Sequence, residues 1–236
     1  MYILAFDTAT KTGSVAITYE DQLIVNYTRK SDISHSKRLL SSIELALKET
    51  SLTLEDISGF GVTIGPGSFT GLRIGLSVAK GLAYATGKPL VGVSTLEAMA
   101  FGLPFVPYLI CPVLDARKGE VYAGFYKKHG PTLQRAFPEM VLPPKDLCQY
   151  IHEPVIFRGE GIGLYRDLFL QGLKKEAFFV AEGRSASVGA CVALLAFEKI
   201  KEGQLEDISS IKPHYIRPSE AEIRRLGIRG GGNVCR

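Results

Sequence analysis

Hydrophobic residues recur along this chain with two different periods. Residues 2 to 6 form a short apolar run that meets Asp7, and a cluster of turn-forming residues follows, Asp7-Thr8-Ala9-Thr10-Lys11-Thr12-Gly13. Two strand-like runs come next, Ser14 to Tyr19 and Gln22 to Arg29, with Glu20-Asp21 between them as a tight hairpin. From His35 to Glu49 the period changes. Leu39, Leu40, Ile43, Ala46 and Leu47 recur at steps of three and four, which predicts an amphipathic helix entered from Ser34 or a neighbouring cap. Gly59 to Ile64 predicts a buried strand, Thr70 to Ala85 a second long helix, Leu90 to Val93 a strand, and Thr95 to Phe101 a third helix. Three strands followed by this alternation predict a mixed sheet with helices packed on its faces.

The proline-punctuated stretch Gly102-Leu103-Pro104-Phe105-Val106-Pro107 marks a connector, and after it the pattern starts again. Leu114-Asp115-Ala116-Arg117-Lys118-Gly119-Glu120-Val121 echoes Phe6-Asp7-Thr8 and Lys11-Thr12-Gly13-Ser14-Val15, with a short gap. Each copy is an apolar strand ending in Asp, a basic turn with Gly, and a second strand, so an internal duplication is expected. The rest of the second half is less regular: a strand at 155–157, a glycine-rich loop at 158–163, a helix at 164–173, a strand at 177–181 and an extended segment at 213–218. The helix at 187–200 is apolar on more than one face, which predicts a place between layers, packed back on the first lobe. The expected division is an N-terminal lobe over 1–104, a smaller C-terminal lobe over 105–218 and a flexible tail over 219–236.

With 236 residues, 46% hydrophobic and 22% charged, the chain has the apolar surface to fold without a disulfide or metal staple. Cys111, Cys148, Cys191 and Cys235 are widely spaced, with no C-x-x-C and no His at ligand spacing, and read as reduced thiols. The first residues lack the basic flank of a signal peptide, and no run approaches the roughly 18 apolar residues that span a bilayer. A cytoplasmic protein with no membrane partner is expected. The net charge of +4 permits weak attraction to a polyanion without demanding it, and much of the excess lies late, in Arg217, Arg224, Arg225, Arg229 and Arg236.

Two segments have the composition of phosphate-binding loops. Asp7-Thr8-Ala9-Thr10 at the end of the first strand suits a metal-bound nucleotide phosphate, or an Asx-type turn that satisfies its own backbone. Gly65-Pro66-Gly67-Ser68-Phe69-Thr70-Gly71 enters a helix whose N-terminus suits an anion, with Arg73 close behind, although no Gly-Lys-Ser/Thr follows as in a Walker loop. The same stretch also reads as packing, since Gly71, Gly75 and Ala79 recur every four residues on one face. Asp7, Thr8, Thr10, Gly65 and Gly67 are the candidate phosphate contacts. His35, His129, His152 and His214 are isolated, no triad can be assembled, and no catalytic or metal residue is assigned. The two long helices carry more apolar positions than one sheet contact uses. Leu39, Ile43, Leu47, Leu72, Gly75, Leu76 and Ala79 are the candidate partner interface, with Leu45 also on a second face.

Asp7-Thr8-Ala9-Thr10, His35-Ser36-x-Arg38-Leu39-Leu40, the run from Gly65 to Gly75, Ala79-Lys80-Gly81-Leu82-Ala83 and Pro213-x-Tyr215-x-Arg217 together resemble the bacterial TsaB family, also called YeaZ. The resemblance is dense up to about residue 125, and the Gly-Pro-Gly-Ser-Phe-Thr-Gly-Leu-Arg run is its most specific part. It implies an α/β, actin-like (sugar kinase, Hsp70, actin) duplicated fold of two mixed-sheet subdomains with flanking helices. It further implies a non-catalytic subunit that binds the paralogue TsaD, with the ATPase TsaE, for threonylcarbamoyl transfer to the tRNA adenosine beside the anticodon. In the family the contact uses the first two long helices, the lone chain forms a homodimer, and tRNA is met through the complex. TsaD holds its metal through an H-x-x-x-H pair, and here His35 is followed four positions later by Leu39. No cofactor is required on this reading, which leaves room for ATP or ADP at the complex junction. The alternatives are an actin-fold ATPase or small-molecule kinase, and more weakly a peptidase, for which no site can be built.

Overall fold

The structure is a computed structural model that describes residues 1–30, 36–130, 132–173 and 176–217. His35 and the tail over 219–236, with Cys235, lie outside the described residues. The first half runs β1 (Tyr2–Asp7), β2 (Thr12–Tyr19), β3 (Gln22–Lys30), α1 (Ser36–Thr50), β4 (Ile57–Gly65), α2 (Phe69–Thr86), β5 (Leu90–Ser94) and α3 (Thr95–Phe101). The second half runs β6 (Leu109–Arg117), β7 (Glu120–His129), β8 (Thr132–Leu142), α4 (Pro144–Leu147), β9 (Val155–Arg158), α5 (Gly161–Leu173), β10 (Ala177–Phe179) and α6 (Val188–Lys201).

The two sheets have one topology. The first is ordered β3-β2-β1-β4-β5 and the second β8-β7-β6-β9-β10. In each, the first three strands pair antiparallel and the last two join the first in parallel. The hairpins match in detail as well. Ala9 N donates to Asp7 Oδ1 at 2.8 Å, and Arg117 N donates to Asp115 Oδ1 at 2.8 Å, the same two-residue Asx turn at the end of each first strand. The gap in the repeat lies in the turn: Lys118 and Gly119, with φ of 55° and 77°, make a two-residue connection of the primed kind that suits the twist of a hairpin.

Each half lends its last helix to the other. The sheet of the first half carries α1 and α2 on one face, where Leu4, Phe6, Ile17, Phe60 and Val62 meet Leu39, Ile43, Leu76 and Ala79. On its other face lies α6, where Ile3, Ala5 and Val93 meet Val192, Ala193 and Ala196. Gly61 makes that approach possible, since a Cβ there would come within 2.9 Å of Val192 Cγ1 and 3.0 Å of Ala196 Cβ. In turn α3 lays Leu96, Met99 and Ala100 against Ile110, Leu114 and Tyr126 of the second sheet. On the second sheet's outer face α4 and α5 cover Cys111, Val113, Phe125 and Phe157. A helix sandwiched between a sheet and another helix is apolar all round, which explains the composition of α6.

Two second-half cations close the junction. The buried Arg158 guanidinium donates to the carbonyls of Met99 and Ala186, and Lys128 Nζ donates to the carbonyls of Phe101, at 2.9 Å, and Leu103. The Met99, Phe101 and Leu103 carbonyls belong to the last turn of α3 and its connector, where a helix favours positive charge, and Ala186 immediately precedes the N-cap of α6.

One element goes beyond the sequence reading and one boundary moves. The 132–142 segment is a strand, β8, hidden from pattern reading because it is an edge strand with mostly exposed residues and with Pro138 inside it. The helix read from Leu164 begins at Gly161, whose missing side chain lets the helix start close to the backbone of Val113. Among the described residues no helix is long and apolar enough to cross a membrane, and Cys111, Cys148 and Cys191 are free thiols.

Candidate functional site

Asp7 ends β1 in the middle of the first sheet and is 1% exposed. Its Oδ1 accepts from Ala9 N and from Thr63 Oγ1, each at 2.8 Å, and its Oδ2 accepts from Thr10 Oγ1 at 2.5 Å. Burial pushes the carboxyl above the ordinary carboxylate range, and the hydrogen bonds from Thr10, Ala9 and Thr63 pull the other way without winning. Thr8 turns away from the sheet and donates to the Gly71 carbonyl at 2.7 Å.

The loop from Gly65 to Gly71 closes onto this turn. Ser68 N donates to Ala9 O at 2.7 Å, and Ser68 Oγ caps α2 by accepting from Gly71 N at 3.2 Å. Gly71 and Gly75 are glycine because Thr8 lies against them: a Cβ at Gly71 would overlap the Thr8 carbonyl, and one at Gly75 the Thr8 hydroxyl. These contacts favour the packing reading of Asp7, Thr8, Thr10, Gly65 and Gly67 over the phosphate one. An actin-type nucleotide and its magnesium need an accessible carboxylate and open loop amides. Here the carboxylate is enclosed and bonded three times, the Ser68 amide is taken by Ala9, and Gly65 faces the backbone of His214. The residues do not fit that group, and no step is derived through it.

The late Pro213-x-Tyr215-x-Arg217 motif meets the Gly65–Gly75 run in space. Ile211 is buried against the first core, His214 N donates to Ile64 O at 2.6 Å, and Tyr215 stacks on Phe69 with ring centroids 4.9 Å apart. Arg73 lies over the Phe69 ring at 3.9 Å and donates from Nε to Tyr215 Oη at 3.1 Å. Arg217 then crosses to the second half, where it pairs with Glu120 and donates to Ala116 O at 3.4 Å. Residues 211–217 therefore form a strap across both halves. Beneath it lies Glu139, whose Oε1 accepts from Ser94 Oγ and from Tyr126 Oη at 2.8 Å and whose Oε2 faces His214 Nε2 at 3.5 Å. Sequence reading found the two motifs and missed Glu139, which sits on the strand that the pattern concealed.

The candidate interface residues require a correction. Leu39, Ile43, Leu72, Gly75, Leu76 and Ala79 are buried within this chain, and Leu47 is half-buried against the same core. The sheet takes the stripe that the first reading gave to a partner. On the outer sides of the same helices Leu40 is 54% exposed, Leu45 44% and Tyr84 60%, with Ile74, Val78 and Leu82 half-buried between them and the core.

A cleft of about 480 Å³ opens between the halves, lined by Thr10, Asn26, Thr28, Arg158, Glu160 and Ser187 among others. Ser187 caps α6 there and donates to Asn26 Oδ1 at 2.7 Å. Among the described residues no group of three His, Cys, Asp or Glu side chains could hold a metal ion.

Two five-stranded mixed sheets of one topology, exchanging their last helices across a cleft, define a duplicated actin-like fold. The ROK hexokinase of Thermus thermophilus superposes with a TM-score of 0.53 at 13% identity, over 86% of this chain and 100% of its own, a likeness of fold alone. YeaZ from Pseudomonas aeruginosa superposes more closely, with a TM-score of 0.75 at 28% identity over 91% of this chain and 99% of that one. The family model described as TsaD, tRNA N6-adenosine threonylcarbamoyltransferase, matches residues 29–225. The tRNA threonylcarbamoyladenosine biosynthesis protein TsaB of Bacillus subtilis is 33% identical over 95% of this chain and 97% of its own length, and that of Escherichia coli 31% over 94% and 96%. The chain belongs to the TsaB (YeaZ) family, within the wider threonylcarbamoyltransferase family whose model it matches.

Proposed function

We propose that this chain is the non-catalytic docking subunit of a tRNA threonylcarbamoyltransferase. It grips the catalytic paralogue TsaD through the outer faces of α1 and α2, and the ATPase TsaE acts on that complex. The observation that carries the reading is the combination at α2. Its N-terminus is sealed against Thr8 and Ala9, so it serves packing, while Leu40, Leu45 and Tyr84 leave an apolar outer face that a water-exposed surface does not need. Alone, the chain covers that face by pairing with a second copy. A nucleotide, ATP or ADP, belongs to this reading only at the junction with the partner, and tRNA is the substrate of the assembled complex in a soluble, cytoplasmic pathway.

Size-exclusion chromatography with the cognate transferase tests it. Leu40→Glu/Leu45→Glu abolishes co-elution and leaves the circular dichroism spectrum unchanged, because both side chains are already exposed. Undiminished co-elution of this variant refutes the docking face. Isothermal titration with ATP and magnesium on the lone chain yields no heat, and micromolar binding that Asp7→Ala abolishes would favour an ATPase or kinase instead.

A further inference from the structure

The strap and the outer side of α2 carry exposed charge of predominantly one sign. The sequence has no acidic residue between Asp56 and Glu97, and none between Asp207 and Arg217. The structure lays these stretches side by side: Lys80 Nζ donates to Ser209 O at 3.2 Å, and Arg73 meets Tyr215 as described. At the far end of the strap, Arg217 on Ala116 O brings it to Arg117 and Lys118 at the tip of the β6–β7 turn. Midway, Arg135 Nη2 and His214 Nε2 each lie 3.5 Å from Glu139. The exposed Arg73, Arg117, Lys118, Arg135 and Lys212, with the half-buried Lys80, thus border one continuous strip. One carboxylate, Asp207, is exposed beside Lys80 and accepts from Ser209 N and Oγ, and the others are engaged within the protein. Glu120 pairs with Arg217, Asp115 accepts from Arg117 N, and the Glu139 side chain is 2% exposed.

We propose that this strip is a contact surface for RNA backbone phosphates, so that this chain touches the tRNA itself. The inference rests on the docking reading above for its substrate and adds a direct contact to it. Phosphates are bound chiefly by displacing their counterions with Lys and Arg. Stacking on Phe69 holds the Arg73 guanidinium in place at the protein surface. The α1 part of the docking face, Leu40 and Leu45, lies on the opposite flank of α2 from the strip, whereas Tyr84 stands one helical turn after Lys80 on the strip's side. α1 packs beside α2 over β2 and β3, whereas the strap binds Ile64 of β4 and packs on Gly92 of β5. RNA on the strip therefore leaves the Leu40 and Leu45 side free for the partner.

Fluorescence anisotropy of an unmodified tRNA transcript with the full chain, between about 50 and 200 mM salt, tests the strip. The logarithm of the affinity falls against the logarithm of salt with a slope of about −2 to −4. Lys80→Gln/Lys212→Gln makes the slope shallower by about two, whereas Lys145→Gln on α4 leaves it unchanged. Because Lys80 also anchors the strap, Arg117→Gln/Lys212→Gln serves as a second pair with the same expected loss. Absence of binding at low salt, slopes untouched by both pairs, or binding to phosphatidylglycerol vesicles without binding to tRNA overturns the proposal. Co-elution of the same variants with the transferase separates the two readings. An intact complex with an unaltered slope removes only the strip, and a lost complex in Leu40→Glu/Leu45→Glu with the salt slope retained supports both.

Discussion

Replacing Gly75 by Ala drives a methyl group into the Thr8 hydroxyl. A Cβ at Gly75 would overlap Thr8 Oγ1, whereas Thr8 Cβ and Cγ2 stand at 3.5 Å, an ordinary contact. Gly75 is buried and Thr8 is 2% exposed, so neither side can move into solvent. Overpacking of this kind costs about 1–3 kcal/mol. Displacing the hydroxyl also breaks its bond to Gly71 O, another 0.5–1.5 kcal/mol or so. The exchange of Gly for Ala in a helix interior returns about 1 kcal/mol. The expected net loss is roughly 0.5–3.5 kcal/mol. Thr8→Ala forfeits the hydrogen bond, about 0.5–1.5 kcal/mol, and the burial of the Cγ2 methyl, about 0.8 kcal/mol. In the double variant the overlap is gone, so Thr8→Ala/Gly75→Ala is at least as stable as Thr8→Ala. Urea denaturation at constant m-value measures all four corners of the cycle. A neutral or stabilising Gly75→Ala, or effects that add within about 0.5 kcal/mol, refutes the claim that these glycines exist to receive the β1 turn.

Three further outcomes follow from the same geometry. Asp7→Asn keeps the turn, since an amide can accept from Ala9 and Thr63 and donate to Thr10, and it removes a carboxyl that burial holds above its ordinary pKa. A raised folded pKa means stability that is fully present below the unfolded pKa and lost as pH rises through the folded one, so the Asn variant's advantage is absent in acid and grows toward neutral pH in urea midpoints measured across that range. Arg158→Met leaves the Met99 and Ala186 carbonyls without their donor, at about 1–3 kcal/mol each, and thermal or urea unfolding that shifts by less than about 0.5 kcal/mol refutes the junction role of Arg158. Alkylation of the native chain followed by mass spectrometry modifies the half-buried Cys148 before Cys111 and Cys191, whose thiols burial pushes up and encloses; the reverse order contradicts the packing.

The sequence by itself determined most of the elements, their order and the duplication. Period-two and period-3.6 patterns are local, and so is the aspartate that closes each first hairpin, with the same bond to the amide two residues on. The all-round apolar character of α6 likewise announced a sandwiched helix. Which stripe of α1 and α2 faces inward was not legible, because Leu39 and Leu40 are equally apolar neighbours and only the sheet's position chooses between them. β8 escaped because an exposed edge strand needs no alternation, and its neighbour β7 supplies the pairing. Only the tertiary structure could turn two phosphate-like loops into a packed turn or bring Tyr215 onto Arg73, 142 residues away. A one-dimensional spacing records which groups are present, while burial and pairing depend on what the rest of the chain lays against them.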